Sequence, residues 1–333
     1  MPKVSVIVPI YGVEKYIVRC ATSLFAQTLD DIEFIFIDDC SPDRSMELLN
    51  KEIDKNRLRF AEMNWEIQTV RMPTNSGQAA VRRHGIQLAK GQFVIHCDSD
   101  DWVEPNMYEK LYNKAIADNL DIVICDYYKS TDLTDVPRCG FLREWIASKE
   151  ICFRNLLCFN CITSVWNKLC KRHLYEKIKR FPVANMWEDY VLTSQLFYYA
   201  DNFGYLNTPL YHYFTNEYSI SFLQIENRQN QINENCKIVL DFIRDIANEH
   251  DYHLEEDMIK YCSRMELRPL TSDAKYRKQW RSIYPEINKR IIYNPYLGFK
   301  EKILFCLFYL GLTPLFIRTK RTVRKFFNYG YEI

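Results

Sequence analysis

Apolar and polar positions along the chain change period in a regular order. Residues 4–9 form an unbroken run of mostly β-branched residues, as a strand covered on both faces requires. Over residues 14–27, Tyr16, Ile17, Cys20, Leu24 and Phe25 recur at helical spacing. A second apolar run at 32–37 ends in Asp38-Asp39-Cys40-Ser41-Pro42-Asp43. Helix 45–53, strand 67–72 and a helix over 78–89 opened by Asn75-Ser76-Gly77 follow. After them come strand 93–97, helix 106–119 and strand 121–125. Strand and helix thus alternate about five times in the first ~125 residues, the pattern of a doubly wound α/β fold with a mostly parallel sheet and helices on both faces.

The strand starting at Phe93 runs into three carboxylates, Asp98, Asp100 and Asp101. Strand C-termini are where open α/β sheets bind ligands. Acids this close repel unless a cation sits among them, and hard oxygen donors suit Mg²⁺ or Mn²⁺. A solvated acidic turn capping the next helix is the plainer alternative. Neither a Gly-x-Gly-x-x-Gly after the first strand nor a P-loop pattern is present, which disfavours dinucleotide-binding and P-loop folds.

Composition narrows the classes further. The 333 residues are 47% hydrophobic, so a sizeable core is expected and wholesale disorder is excluded. A net charge of +1 argues against nucleic acid as a partner. The 12 cysteines are scattered, mostly in apolar runs, which suits reduced thiols in the cytoplasm. Cys152, Cys158, Cys161 and Cys170 allow a zinc or redox site, but a second clean Cys-x-x-Cys pair is missing. The opening residues read as a first strand and not as a signal peptide.

Several motifs stand in an order that resembles glycosyltransferase family 2, with its GT-A fold. Val4-Ser-Val-Ile-Val-Pro-Ile-Tyr11 is similar to the family's opening strand. Phe36-Ile-Asp-Asp-Cys-Ser-Pro-Asp43 resembles its Asp-Asp-Gly-Ser-x-Asp segment. Asn75-x-Gly77 with Arg82 and Gly85 resembles its Asn-x-Gly helix, and Asp98-Ser-Asp-Asp-Trp102 its D-x-D element. Val81 and Arg83 depart from the family's Ala and Asn. The resemblance implies that Pro9, Tyr11, Asp38 and Asp39 line a nucleobase and ribose pocket. Arg82 would face the diphosphate, Asp98 would touch ribose or sugar, and Asp100 would coordinate the metal.

Residues 129–147 read as an irregular, flexible linker, and 151–161 as helical. Val165-Trp-Asn-Lys-Leu-Cys-Lys, Arg180-Phe-Pro182 and Trp187-Glu-Asp-Tyr resemble the family's second half. There the resemblance implies that Asp189 is the base for an inverting transfer, although carboxylates also favour a helix's first turn for its dipole alone. Lys168 could pair with these acids or with phosphate, or lie on the surface. Trp166, Trp187 and Tyr211 could stack on sugars or simply pack. Residues 209–221 resemble the close of the catalytic unit, where His212 approaches the diphosphate or is packed among aromatics.

Helices are expected at 231–250 and 255–265. Residues 303–317 are apolar, too short to span a bilayer, and precede Arg318, Lys320, Arg321, Arg324 and Lys325, which suits a helix lying on an anionic membrane surface. A helix packed on the core is the alternative. The expected organisation is a nucleotide-sugar-binding half (1–128), an acceptor-binding half (129–221), a helical extension (222–295) and an amphipathic, basic tail (296–333). The expected activity moves a sugar from a UDP-sugar or related donor to a glycan or lipid-linked hydroxyl in polysaccharide synthesis, on the inner face of the plasma membrane. A sugar-phosphate nucleotidyltransferase and an inactive carbohydrate-binding relative are the alternatives.

Overall fold

A computed structural model describes residues 1–141, 143–215, 225–247 and 250–312. The chain divides into two compact units, Met1–Ser221 and Phe222–Ile333. In the first, the strands are β1 (Val4–Ile10), β2 (Ile32–Asp38), β3 (Glu66–Arg71), β4 (Phe93–His96), β5 (Trp102–Val103), β6 (Ile122–Ser130), β7 (Asp135–Arg138), β8 (Lys168–Lys171) and β9 (Phe203–Phe214). Its helices are α1 (Ile17–Phe25), α2 (Ser45–Lys55), α3 (Arg57–Glu62), α4 (Gln78–Leu88), α5 (Met107–Ala117), α6 (Lys149–Leu157), α7 (Arg172–Glu176) and α8 (Glu188–Tyr199).

The strands form one sheet in the order β3-β2-β1-β4-β8-β6-β9-β5, with β7 paired to β6. β1, β2, β3 and β4 are mutually parallel, and β6 is parallel to β9. β8 enters antiparallel between β4 and β6. The halves expected at 1–128 and 129–221 therefore share a single sheet. The expected flexible linker at 129–147 instead contains the end of β6, all of β7 and a short 3-10 helix, Arg143–Ala147.

Strand alternation decides which side chains meet which helix layer. Val4, Val6, Val8 and Ile10 join Phe34, Phe36 and Ile95 in a core with α1 and α5. The opposite face carries Ile7 and Ile37, and α4 lies against it. A Cβ at Gly85 would overlap Ile7, so glycine permits that close approach. Arg82 stands one turn earlier on the same helix, which aims it past the end of β1 and β4.

The second unit contains α9 (Ile225–Ile246), α10 (His253–Cys262), α11 (Ala274–Ser282) and α12 (Phe299–Leu310). Trp280 and Tyr261 are buried in its core, and Arg290 grips Asp257 through two bonds of 2.6 Å. Residues 313–333, with the basic cluster from Arg318 to Lys325, lie outside the described residues, as do 216–221 at the expected close of the catalytic unit.

Candidate active site

The end of β4 is built from its backbone outward. Asp101 turns inward. Its carboxylate accepts from the Tyr211 hydroxyl at 2.6 Å and from the Phe214 amide at 2.7 Å, and burial among Asp100 and Asp98 pushes its pKa well up. The same Tyr211 hydroxyl accepts from the Asp98 amide at 3.1 Å. Arg19 donates to the Asp100 carbonyl at 2.8 Å while its guanidinium stacks 3.9 Å from the Trp102 ring. Asp98 and Asp100 are thus presented at the mouth on a turn fixed from both sides. The three acids of the sequence are therefore not equivalent, because Asp101 is spent on structure.

Asp98 meets a cation that the chain itself supplies. Arg82, only 1% exposed, donates through Nη2 to Asp98 at 2.6 Å and through Nη1 to Glu188 at 2.8 Å and to Asp189. Gln78 adds a bond to Asp98 at 3.1 Å. Glu188 and Asp189 stand at the start of α8, and Trp187 just before them takes a left-handed φ of 68° that turns the chain into the helix. The second Asp189 oxygen accepts from the Val165 amide at 3.2 Å. Burial raises the pKa of both Glu188 and Asp189, and Arg82 opposes the rise. Arg82 is itself held fully charged by the surrounding carboxylates. Expected to face a diphosphate, it is enclosed by acids, with no outward-facing surface of its own.

The ends of β1 and β2 form the other wall. Asp39 accepts from the Ser76 and Gly77 amides at 2.7 and 2.8 Å, and Gly77 at φ 80° lets that turn form. Asp38 accepts from the Ser41 amide at 2.7 Å and pairs with Arg71 at 3.2 Å. Both are buried, and their partners are the loop amides of Ser41, Ser76 and Gly77 and the end of β3 at Arg71. Pro9 is half-buried and Tyr11 is 50% exposed beside them. After β1, the amides of Gly12, Val13 and Glu14 each donate at 2.9 Å to Ser41, Ser45 and Asp43. Three successive amides that could have cradled a phosphate are already committed.

Several aromatic and basic residues lie deeper than expected. Trp166 and Tyr211 are buried and stack on each other at 4.2 Å and 13°. Tyr213, stacked on the same Trp166, is the ring of that stack that reaches the surface. Trp187 packs on Phe159 and Tyr190. His212 is sandwiched between Trp102 and Tyr128 and bonds Glu104 at 2.9 Å. Lys168 is buried and donates to the carbonyls of Ile162 and Ser164 at 2.8 and 2.7 Å. Burial pushes its pKa down to about 8. Sequence reading missed Arg19, one basic residue on an amphipathic helix with no distinguishing local pattern. It named Glu188 only as half of an acidic pair.

Among the described residues no three His, Cys, Asp or Glu side chains converge as a metal cage. Cys152, Cys158, Cys161 and Cys170 are buried free thiols. A divalent ion of the Mg²⁺ type usually takes one or two carboxylates and completes its shell with phosphate and water. Asp100 suits that shared mode.

Comparison with known proteins agrees with this architecture. EpsH of Bacillus subtilis (strain 168) is 33% identical over 229 residues, covering 64% of this chain and 60% of EpsH. The chain thus spans less than two thirds of that relative. The crystal structure of Staphylococcus aureus TarS 1–349 with UDP-GlcNAc superposes with a TM-score of 0.66 at 16% identity, covering 94% of this chain and 92% of that one, which establishes the GT-A fold. The Pyrobaculum calidifontis mannosyltransferase PcManGT, solved with GDP-Man and Mn²⁺, superposes at 0.53 with 13% identity, covering 93% of this chain and 87% of its own. The model of glycosyl transferase family 2 matches residues 5–178, more than half of the chain. The chain belongs to glycosyl transferase family 2.

Proposed function

We propose that the chain is an inverting glycosyltransferase that moves a sugar from a nucleoside-diphosphate donor, a UDP-sugar, to a hydroxyl of a glycan or lipid-linked acceptor in polysaccharide synthesis. The observation that carries this reading is the gathering of Asp98 and the Glu188–Asp189 pair on one buried arginine, although 16 to 107 residues separate them from it. Pro9, Tyr11, Asp38 and Asp39 would shape the nucleotide wall, with Asp38 and Asp39 acting through the loops they hold. Asp98 would take the donor's ribose or sugar. Asp189 would receive the proton of the attacking hydroxyl, and its burial favours the protonated product of that step. Arg82 and the Val165 amide hold its two oxygens in a fixed direction, which general-base geometry requires. Mn²⁺ or Mg²⁺, held by Asp100, would supply charge neutralisation for the departing diphosphate.

The TarS complexes contain UDP-GlcNAc and UDP, which supports a UDP-sugar here. Nucleotidyl transfer calls for a phosphate-cradling loop after the first strand, and the committed amides of Gly12, Val13 and Glu14 oppose it. The test is a panel of UDP-sugars with Mn²⁺, scored for donor hydrolysis, alongside calorimetry with UDP. Asp189→Asn should abolish turnover and leave UDP affinity nearly intact. Equal loss of both would remove Asp189 as the base.

Peripheral attachment to the inner face of the plasma membrane belongs to the same proposal. Among the described residues no helix is long and apolar enough to cross a membrane. Phe299, Ile303, Cys306 and Leu310 repeat at helical spacing along α12, and all four are exposed. An apolar stripe followed in sequence by five basic residues suits an anionic leaflet. Flotation of the full chain with phosphatidylglycerol vesicles, but not with phosphatidylcholine alone, is the expected outcome, and Ile303→Asp should weaken it.

A further inference from the structure

Behind the arginine that gathers the acids lies a second polar group with no visible role. His96 is the last residue of β4 and fully buried, and neither ring nitrogen has a hydrogen-bond partner among the described residues. Its register partner on β1 is Ile7, the residue over which Gly85 brings α4. Ile95 faces the core with α1 and α5, so alternation points His96 to the α4 side, where Arg82 stands. The Tyr175 ring packs on the imidazole, with centroids 6.0 Å apart, and its hydroxyl is likewise buried without a partner among the described residues. Arg82 in turn keeps one buried donor unpartnered, its Nε.

Orphaned buried polar atoms cost on the order of 1–3 kcal/mol each, and natural proteins rarely leave them so. The two ring nitrogens of an imidazole stand on opposite edges and each can bond a water. An imidazole nitrogen and an arginine N–H on neighbouring elements, both buried and unpartnered, are the partners an internal water needs.

We propose that His96 holds an internal water against Nε of Arg82, and so acts as a positioning residue for the arginine that aligns Asp98, Glu188 and Asp189. His96 touches neither donor nor acceptor. Its effect on rate reaches the reaction through the angle of one guanidinium, and this part rests on the glycosyltransferase reading above. The water itself does not.

Two measurements on the full chain separate these claims. A crystal structure at high resolution should show a water within hydrogen-bond distance of a His96 ring nitrogen and Arg82 Nε. A dry site there overturns the proposal whatever the enzyme's activity. In UDP-sugar hydrolysis, His96→Phe should lower kcat roughly tenfold to a hundredfold, the scale of a small misplacement of catalytic groups, with KM and calorimetric UDP affinity within about twofold. His96→Asn, which can still hold a water, should recover most of that loss. Unchanged kcat in His96→Phe, or equal losses in Phe and Asn, would reject the positioning role. Should the Phe variant fail to fold, the Asn variant and the crystallographic water still decide the matter. If wild-type protein turns over no UDP-sugar, the transferase reading fails while the water remains testable.

Discussion

Two arginines are buried to nearly the same degree, one in each unit, and they are answered in opposite ways. Arg82 is 1% exposed and surrounded by Asp98, Glu188 and Asp189. Arg264, following α10, is fully buried and has no carboxylate partner among the described residues. It donates to the carbonyls of Trp280 and Ile283 at 3.2 and 3.4 Å and to Asn288 at 2.8 Å, and lies 4.3 Å over the Trp280 ring. Carboxylates hold Arg82 charged, whereas burial pushes Arg264 down to about 10. Three acids around one cation is more anion than neutrality needs, and an excess of that kind is what a proton-accepting, cation-binding site requires. Carbonyls and a ring face around a cation make a structural cap.

The largest effect that would break this contrast comes from removing Arg82. Arg82→Met leaves three carboxylates in a low-dielectric space without their cation. Deleting one member of a buried ion pair costs about 3–5 kcal/mol. Denaturant unfolding should show a loss of that size, and UDP-sugar turnover should fall by at least the ~10²–10⁴-fold attributed to general base catalysis. Arg82→Lys should recover part of the stability and little of the turnover, because an ammonium cannot span three acids as a planar fork does. A stable, active Arg82→Met protein would show that the acids do not depend on their gathering.

Each acid of that group stands in a motif that can be found along the chain, and so does Arg82. What the chain does not reveal is direction. Arg82 lies among residues that suggest a phosphate contact, and only its ion pairs with Glu188 and Asp189 show that the guanidinium is turned toward α8. Asp98, Asp100 and Asp101 look equivalent as text, yet Tyr211 and the Phe214 amide, more than a hundred residues later, draw Asp101 inward. The parallel strands β1, β2 and β4 are legible because burial on both faces leaves a continuous apolar run. β8 is not, since Lys168-Leu-Cys-Lys171 is four residues with a lysine at each end. β9 carries Gly204 and Pro209, which read as turn residues. The GT-A sheet order therefore became visible only once those two strands were paired.

A subtler probe is Glu188, whose carboxyl ordinarily titrates near 4.5 and is pushed up to about 8, chiefly by burial. The folded chain holds that proton through a window in which the unfolded chain has released it. Between those values the folded state binds more protons, so this group makes stability fall as pH rises. One proton contributes at most about 1.4 kcal/mol per pH unit, and coupling to Asp189 reduces the share. Glu188→Gln should flatten the decline in denaturation midpoint between about pH 5 and 8. An unchanged slope would mean that Arg82 compensates Glu188 fully, and the excess of anion would be smaller than the geometry suggests.

The smallest effect is expected at the other arginine. Arg264→Met replaces an uncompensated buried cation with an apolar chain of similar length, under the same Trp280 ring. Removing the cation relieves a desolvation cost, while the carbonyls of Trp280 and Ile283 and the side chain of Asn288 lose a donor worth about 1 kcal/mol each. The two terms oppose each other, so unfolding free energy should change by no more than about 1 kcal/mol, and UDP affinity should not move. A loss of about 3 kcal/mol or more would mean that carbonyls and a ring face satisfy a buried guanidinium as fully as carboxylates do. In that case the three acids on Arg82 could not be explained by the arginine's needs alone, and their number would have to follow from what they bind.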